Sequence, residues 1–478
     1  MTTHAFRAPR RPALAALAAL ILLAGPAAAA PAKPEPGSTT AARPPAQAAG
    51  KPASKPAAKP SAGSAAKPAG QQPSAARPGP KKPASKPAVA AAAAAGAAGA
   101  GVAAAAAGSG SFSSFVQGLW PAAQARGVSR ATFDAAFAGV TPDPKVAALT
   151  RKQSEFVRPI WGYLDGAVTG GRVGQGQAQA QAHAATLAAI ESRYGVEKSV
   201  ILGVWGMETN FGSFTGGMDV IRSLATLAHL RYRSDFFRDE LLTALVILQQ
   251  GHVSREAMRG SWAGAMGQTQ FMPSSFMKWA VDWDGDGHKN IWTSVPDALA
   301  STANYLRQHG WQAGLPWAVE VVIPDGFDYR MRRGDLSGFA GRGVRRADGR
   351  PMPRGGEALL FLPAGARGPA FLVTANYAAI KAYNSSDAYA LGVGHLGDRI
   401  YGGAPIQGDW PRSDPQLDHN QRVDLQRRLA ALGYEVGEPD GKIGTKTRDA
   451  VRDFQEKRGL VPDGHPTPAV LQALRAPR

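Results

Sequence analysis

The 478-residue chain contains no cysteine. That excludes a disulfide framework, a thiolate nucleophile and Cys-ligated zinc, and it removes the residue through which a bacterial lipoprotein is acylated. Histidine is also sparse, with 9 in all. None falls in a His-Glu-x-x-His helix pattern, and the scattered His183, His229 and His252 read as surface or packed side chains. Acidic residues are outnumbered 36 to 54 by Lys and Arg, for a net charge of +18. A basic excess suits any polyanion, so its location matters. Ten of the cations lie between Pro31 and Lys86, where Glu35 is the single acid. That segment has too few large apolar residues to pack, and no nucleic-acid-binding motif accompanies it, so nucleic acid is not an expected partner. The apolar stretch from Pro12 to Gly25 is too short, and wrongly flanked, for a spanning helix.

What is present organises the chain into five parts. Residues 1–30 carry Arg7, Arg10 and Arg11, a short apolar stretch from Pro12 to Gly25, and small residues from Ala27 to Ala30. This is the pattern of a secretory signal, and it implies export to the periplasm with no transmembrane helix in the mature chain. Residues 31–110 are Ala, Pro, Lys, Gly and Ser, the composition of an extended tether. Residues 111–403 read as a mainly α domain. Ser129 is placed to cap a helix bearing Phe133 and Phe137, and Gly195 to end one bearing Leu187 and Ile190. Val196–Met207 reads as a buried helix, and Ser234 as the start of another. Between 318 and 373, the alternation of Val319, Val321 and Ile323 and the runs 358–362 and 370–373 predict a small β-rich insertion. Helix returns at 378–383 and 387–396. A Pro/Gly/Asp-rich linker (404–417) leads to a compact helical module (418–476), whose turns lie at Asp440-Gly441 and Asp463-Gly464. The fold class expected is therefore mainly α with some β (α+β).

Glu208 is the residue most able to carry chemistry. It follows an almost wholly apolar run and precedes Thr209-Asn210-Phe211-Gly212. A carboxyl at the rim of an apolar helix is desolvated, which raises its pKa and lets it donate a proton near neutrality. Cleavage of a glycosidic bond needs such a donor. The competing reading is a helix end facing water. Ser261 to Ser275 adds a loop rich in small residues, amides and hydroxyls, suited to close approach by a sugar. Its Ser274 is also placed to cap a helix bearing Phe276 and Trp279.

Met207-Glu208-Thr209-Asn210-Phe211-Gly212, the loop 264–275 and Ala382-Tyr383-Asn384-Ser385-Ser386 together resemble the three signature segments of the membrane-bound lytic transglycosylase B family, in the family's order. The resemblance implies a lysozyme-like catalytic domain with Glu208 as sole acid/base, and Ser261, Gln270, Tyr383 and Asn384 lining the cleft. It implies cleavage of peptidoglycan glycan strands in which the C6 hydroxyl of N-acetylmuramic acid replaces water. A 1,6-anhydro end results. Asp219 and Glu240 stay open as second carboxylates, which keeps a hydrolytic muramidase in play. A non-catalytic wall-binding scaffold is the third reading. Neither the sequence nor the resemblance names a protein partner.

Asp282, Asp284 and Asp286 alternate, with Gly287 and His288 following, in a pattern like an EF-hand calcium loop. His288 would contribute its backbone carbonyl. Thr293 stands where the usual bidentate Glu would be, and Asp297 is a candidate to close the shell. The alternative is an acidic surface turn. Calcium, if bound, would be structural; the chemistry itself requires no cofactor. The module 418–476 resembles a three-helix peptidoglycan-binding domain in residues such as Leu425-Gln426, Gly433-Tyr434, Phe454-Gln455 and Asp463-Gly464.

Overall fold

The computed structural model describes residues 111–151 and 158–476. The expected signal sequence and Lys/Pro/Ala-rich tether fall outside the described residues. Among those described, no helix is long and apolar enough to cross a membrane.

The chain from 111 to 403 is built around one continuous apolar core whose centre is helix Lys198–Thr209. Ten of its twelve residues are buried, which explains why its sequence is apolar on all sides rather than in a stripe. Helices Asp387–Ile400, Val295–Gln308, Gly170–Ala182 and Ala184–Tyr194 pack on it, and Val220–His229, Phe236–Gln249 and Ala375–Tyr383 extend the same core. The expected caps hold at Ser129, which accepts from Thr132 N, and at Gly195, which is left-handed at φ 66°. Ser234 does not cap its helix. It is itself left-handed at φ 55°, and the helix begins at Phe236.

The insertion is a five-stranded antiparallel sheet in the spatial order Arg333–Asp335, Glu357–Phe361, Ala370–Val373, Ala318–Val322, Arg345–Arg346. Val319 and Val321 point with Leu360 and Leu372 into a second, smaller core closed by Leu336 and Phe339. Strand alternation thus appears where the period of two predicted it.

Helices His419–Ala431, Thr445–Lys457 and Pro468–Arg475 form the C-terminal module around Leu425, Leu429, Val451, Phe454 and Leu471. Two glutamines perform the same task in it. Gln426 Oε1 accepts from Gly441 N (2.7 Å) and Gln455 Oε1 accepts from Gly464 N (2.8 Å). Each Asp-Gly turn is therefore latched to the preceding helix by a buried carboxamide.

Candidate active site

Glu208 lies in the last turn of helix Lys198–Thr209 with 8% of its surface exposed. That end of the helix presents carbonyls, so it supplies no backbone N–H to a carboxylate. The donor that reaches Glu208 is the Tyr389 hydroxyl, 2.6 Å from Oε1. Burial pushes the Glu208 pKa up, the Tyr389 hydrogen bond pulls it partly back, and the balance stands at about 7. The Glu208 charge in turn raises the hydroxyl pKa of Tyr163, Tyr305, Tyr383 and Tyr389, each already raised by its own burial. Four phenols, from four different helices, thus lie within electrostatic reach of one carboxyl, and Tyr389 is the one hydrogen-bonded to it.

Tyr389 reaches Glu208 because two helix backbones nearly touch. A methyl at Gly203 would sit 2.3 Å from the Val393 carbonyl oxygen, and one at Gly397 would sit 2.4 Å from that of Ser199. With glycine at both places, helix Asp387–Ile400 lies flush on helix Lys198–Thr209, which sets the first turn of one beside the last turn of the other. Beyond Glu208 the chain turns sharply. Asn210 and Phe211 are both left-handed, at φ 49° and 57°, which costs a non-glycine residue about 1 kcal/mol or more each. The cost is met locally. Asn210 Nδ2 donates to Gln175 Oε1 (2.9 Å), Arg172 Nε donates to Asn210 Oδ1 (3.1 Å), and the Phe211 ring is buried.

The loop expected to receive sugar is tied to the same helix end. Trp205 Nε1 donates to Gln268 Oε1 (3.0 Å), and Thr209 Oγ1 donates to the Gln268 carbonyl (3.0 Å). Tyr383 Oη donates to the Thr269 carbonyl (2.6 Å), which brings the third signature segment onto the second. Of the predicted lining residues, Tyr383 lies within reach of the Glu208 charge and Asn384 is next to it in sequence, 1% exposed. Asn384 Oδ1 accepts from Ser386 N, while its Nδ2 is buried without a partner, as is Thr269 Oγ1. Buried polar atoms of this kind are costly unless something fills them. Ser261 Oγ is committed to Ala265 N (3.0 Å), so it shapes the loop. Gln270, left-handed at φ 51°, donates through Nε2 to the Thr215 and Gly267 carbonyls.

Neither carboxylate left open by the sequence contributes to this pocket. Asp219 caps helix Val220–His229 and pairs with Arg255 at 2.7 Å. Glu240 accepts from Ser274 N (2.8 Å) and Ser274 Oγ (2.6 Å). Ser274 is accordingly not the helix cap expected of it. Helix Pro273–Trp279 is entered through Met272, and the glutamate satisfies the helix end instead. Sequence reading missed Tyr389, Tyr163 and Tyr305. Tyr163 and Tyr305 lie outside the three signature segments. Tyr389 follows the third by three residues, yet its partner is 181 positions away.

The acidic loop folds back on itself. Single carboxylate oxygens of Asp282, Asp284 and Asp286 lie within 4.8 Å of one another, the one such cluster among the described residues. Gly285 N and Gly287 N both donate to Asp282 (2.7 and 2.9 Å). Asp297, expected to close the shell, is committed elsewhere. Its two oxygens accept from Trp283 N (2.8 Å) and Asn290 N (2.7 Å), clamping the loop's two ends. Thr293 Oγ1 accepts from Asn290 Nδ2.

Residues 111–398 match the family described as transglycosylase SLT domain, and residues 418–474 match that of a peptidoglycan binding domain. The chain is similar to Pseudomonas aeruginosa SltB3, crystallised with NAG-anhNAM-pentapeptide, at 50% identity and a TM-score of 0.73, over 77% of this chain and 100% of that one. It is also similar to the Escherichia coli lytic transglycosylase Slt35 in complex with calcium, at 29% identity and a TM-score of 0.51, over 61% of this chain and 92% of that one. Among curated proteins it is 36% identical over 214 residues to the membrane-bound lytic murein transglycosylase B of Escherichia coli (strain K12). That match takes in 43% of this chain and 58% of the relative, so the chain spans little more than half the relative's length.

Proposed function

The chain belongs to the transglycosylase SLT domain family, and we propose that it is a peptidoglycan lytic transglycosylase in which Glu208 is the sole acid/base. The observation that carries the reading is the isolation of that carboxyl. Its proton affinity is set by burial and by Tyr389, with no second carboxylate acting on it among the described residues. A pKa of about 7 keeps much of Glu208 protonated at neutral pH. It can then protonate the glycosidic oxygen between N-acetylmuramic acid and N-acetylglucosamine as positive charge develops on the muramic ring. The resulting carboxylate, steadied by the Tyr389 hydroxyl, takes the proton from the muramic C6 hydroxyl as that oxygen closes on C1. The leaving strand departs with a free hydroxyl, the other ends in 1,6-anhydro-N-acetylmuramic acid, and no water is consumed. Asn384 Nδ2 and Thr269 Oγ1 are the unpaired groups we assign to hydrogen bonding with substrate, with Ser261 and Gln270 shaping the loop around it.

Asp282, Asp284 and Asp286, with the His288 carbonyl, would hold a calcium ion. The fit is the preformed turn and the convergence of three carboxylates that otherwise repel. Bound calcium would neutralise that repulsion and brace the loop leading into helix Val295–Gln308. The C-terminal module would hold the enzyme on an insoluble wall and raise its local concentration there. With the N-terminal secretory pattern, this supports a periplasmic location.

Mass spectrometry of fragments released from sacculi tests the reaction. The expected products are lighter by one water than hydrolytic ones, and ordinary reducing ends would make the protein a muramidase. Glu208→Gln is expected to lose turnover while still binding sacculi. Were no glycan released by the unaltered protein either, the scaffold reading would stand.

A further inference from the structure

The stretch joining the catalytic body to the C-terminal module is pinned along its length. Gln407 N and Gly408 N donate to the Glu320 carboxylate (shortest 2.8 Å). The Trp410 ring packs on Trp161 with centroids 6.0 Å apart, and Arg412 grips Asp165 through two hydrogen bonds of 2.7 and 3.0 Å. Asp414 accepts from Arg367. Trp410 and Ile406 also lie against the main core. This is a strap laid over the body, which the Pro/Gly/Asp composition of a linker did not foretell.

Two of those contacts land on one short helix, Ile160–Ala167. Trp161 and Asp165 are four residues apart and share a face. Tyr163 is two residues from each, about 200° around the axis, on the opposite face. That face looks into the Glu208 region. A methyl at Gly392 would meet Met207 Cε at 3.0 Å and Tyr163 Cε1 at 3.3 Å, so the Tyr163 ring closes over the helix of Tyr389 beside the residue preceding Glu208. The charge of Glu208 is also felt at the Tyr163 hydroxyl. The helix is thus a wedge, with the strap on one side and the acid/base pocket on the other.

We propose that Trp410 and Arg412 are positioning residues for the Glu208 site: by holding helix Ile160–Ala167 from outside, they keep Tyr163 as a wall of the acid/base pocket. The inference rests on Glu208 being the acid/base. The Arg412–Asp165 pair is more than half exposed on both sides, so its contribution to global stability is small. Its effect is on where the wedge sits. Loosening the wedge admits water beside Glu208, which lowers the carboxyl's pKa toward the ordinary carboxylate range. It also misplaces the proton donor relative to the bond it cleaves.

The test uses the full chain and soluble, uncrosslinked NAG-NAM strand fragments, whose turnover does not need capture by the module. Trp410→Ala is expected to lower kcat about tenfold and Arg412→Ala a few-fold. Both should shift the alkaline limb of the kcat profile to lower pH, with sacculus binding unchanged. Asp165→Ala should match Arg412→Ala, and the double variant should lose no more than either alone. Arg332→Ala, which breaks the ion pair between the residue preceding strand Arg333–Asp335 and Asp449 of the module and touches neither strap nor wedge, should change neither kcat nor the limb. Wild-type kcat and an unmoved limb in Trp410→Ala and Arg412→Ala would overturn the proposal. Arg412→Ala keeps the test decisive should Trp410→Ala fold poorly. Anhydro products from the unaltered chain on the same fragments separate this outcome from a failure of the acid/base assignment.

Discussion

Glu208 and Glu240 are both glutamates buried in helices of the same core, yet the two regions treat them in opposite ways. Glu240 sits 3% exposed at the start of helix Pro273–Trp279, where a backbone N–H and the Ser274 hydroxyl both donate to it. Glu208 sits at the carbonyl end of its own helix, with a single phenol donor. Burial raises the pKa of each. At Glu240 fixed donors oppose that rise, and the carboxylate works as a helix cap. At Glu208 little opposes it, and the proton is left available. Burial alone therefore does not separate the two glutamates; the number of fixed donors does.

Exchanging the charge at each position is the strongest way to break the comparison. Glu208→Gln should lower glycan turnover by about 10³-fold, within the range for loss of a general acid/base, as read from anhydro-muropeptide release. Glu240→Gln should leave kcat within about twofold and instead destabilise the fold by about 1–3 kcal/mol, the cost of orphaning buried donors, as read by denaturant unfolding. Equal loss of turnover in both variants would erase the distinction.

Removing the one donor sharpens it. Tyr389→Phe should raise the Glu208 pKa further, because the hydroxyl favours the anion. The alkaline limb of the pH profile, expected near 7 in the unaltered protein, should move upward, and kcat should fall about tenfold. An unmoved limb would show that the hydrogen bond does not tune the carboxyl.

A smaller effect appears in stability. The folded-state pKa of Glu208 lies above its unfolded value of 4.5, so the folded state binds the extra proton between these values. Stability attributable to this group is full below 4.5 and is lost as pH rises through about 7. Glu208→Gln should therefore raise Tm at pH 8 by a few degrees and leave it unchanged at pH 4. A gain of equal size at both pH values would refute the linkage.

The smallest expected effect concerns the acidic loop, a third region in which carboxylates cluster at the surface rather than in the core. Calcium should raise Tm by a few degrees, and Asp284→Asn should abolish that rise without altering kcat at saturating substrate.

The three signature segments were legible because each is local. Glu208-Thr209-Asn210-Phe211-Gly212 ends a helix, the loop 264–275 is dense in small residues, and Tyr383-Asn384 ends another helix. The sheet was legible because alternation at Val319 and Val321 follows from the two-residue period. Sequence-local chemistry could not locate Ser274, whose hydroxyl turns away from its own helix to Glu240, nor Asp297, whose oxygens are claimed by the two ends of the loop. Nor could it show that residues 404–417 form a strap, since Trp410 and Arg412 find their partners about 250 residues upstream.

By itself the sequence determined several of the elements and which carboxyl ends an apolar helix, since these depend on neighbours a few residues apart. Only the tertiary structure decided that this carboxyl has, among the described residues, one phenol donor and no neighbouring carboxylate. That outcome depends on helices meeting across glycines at 203 and 397, and on Asp219 and Glu240 being drawn to other partners. The physical reason is that a proton's affinity is set by every charge, donor and water within a few ångströms, whatever their separation along the chain.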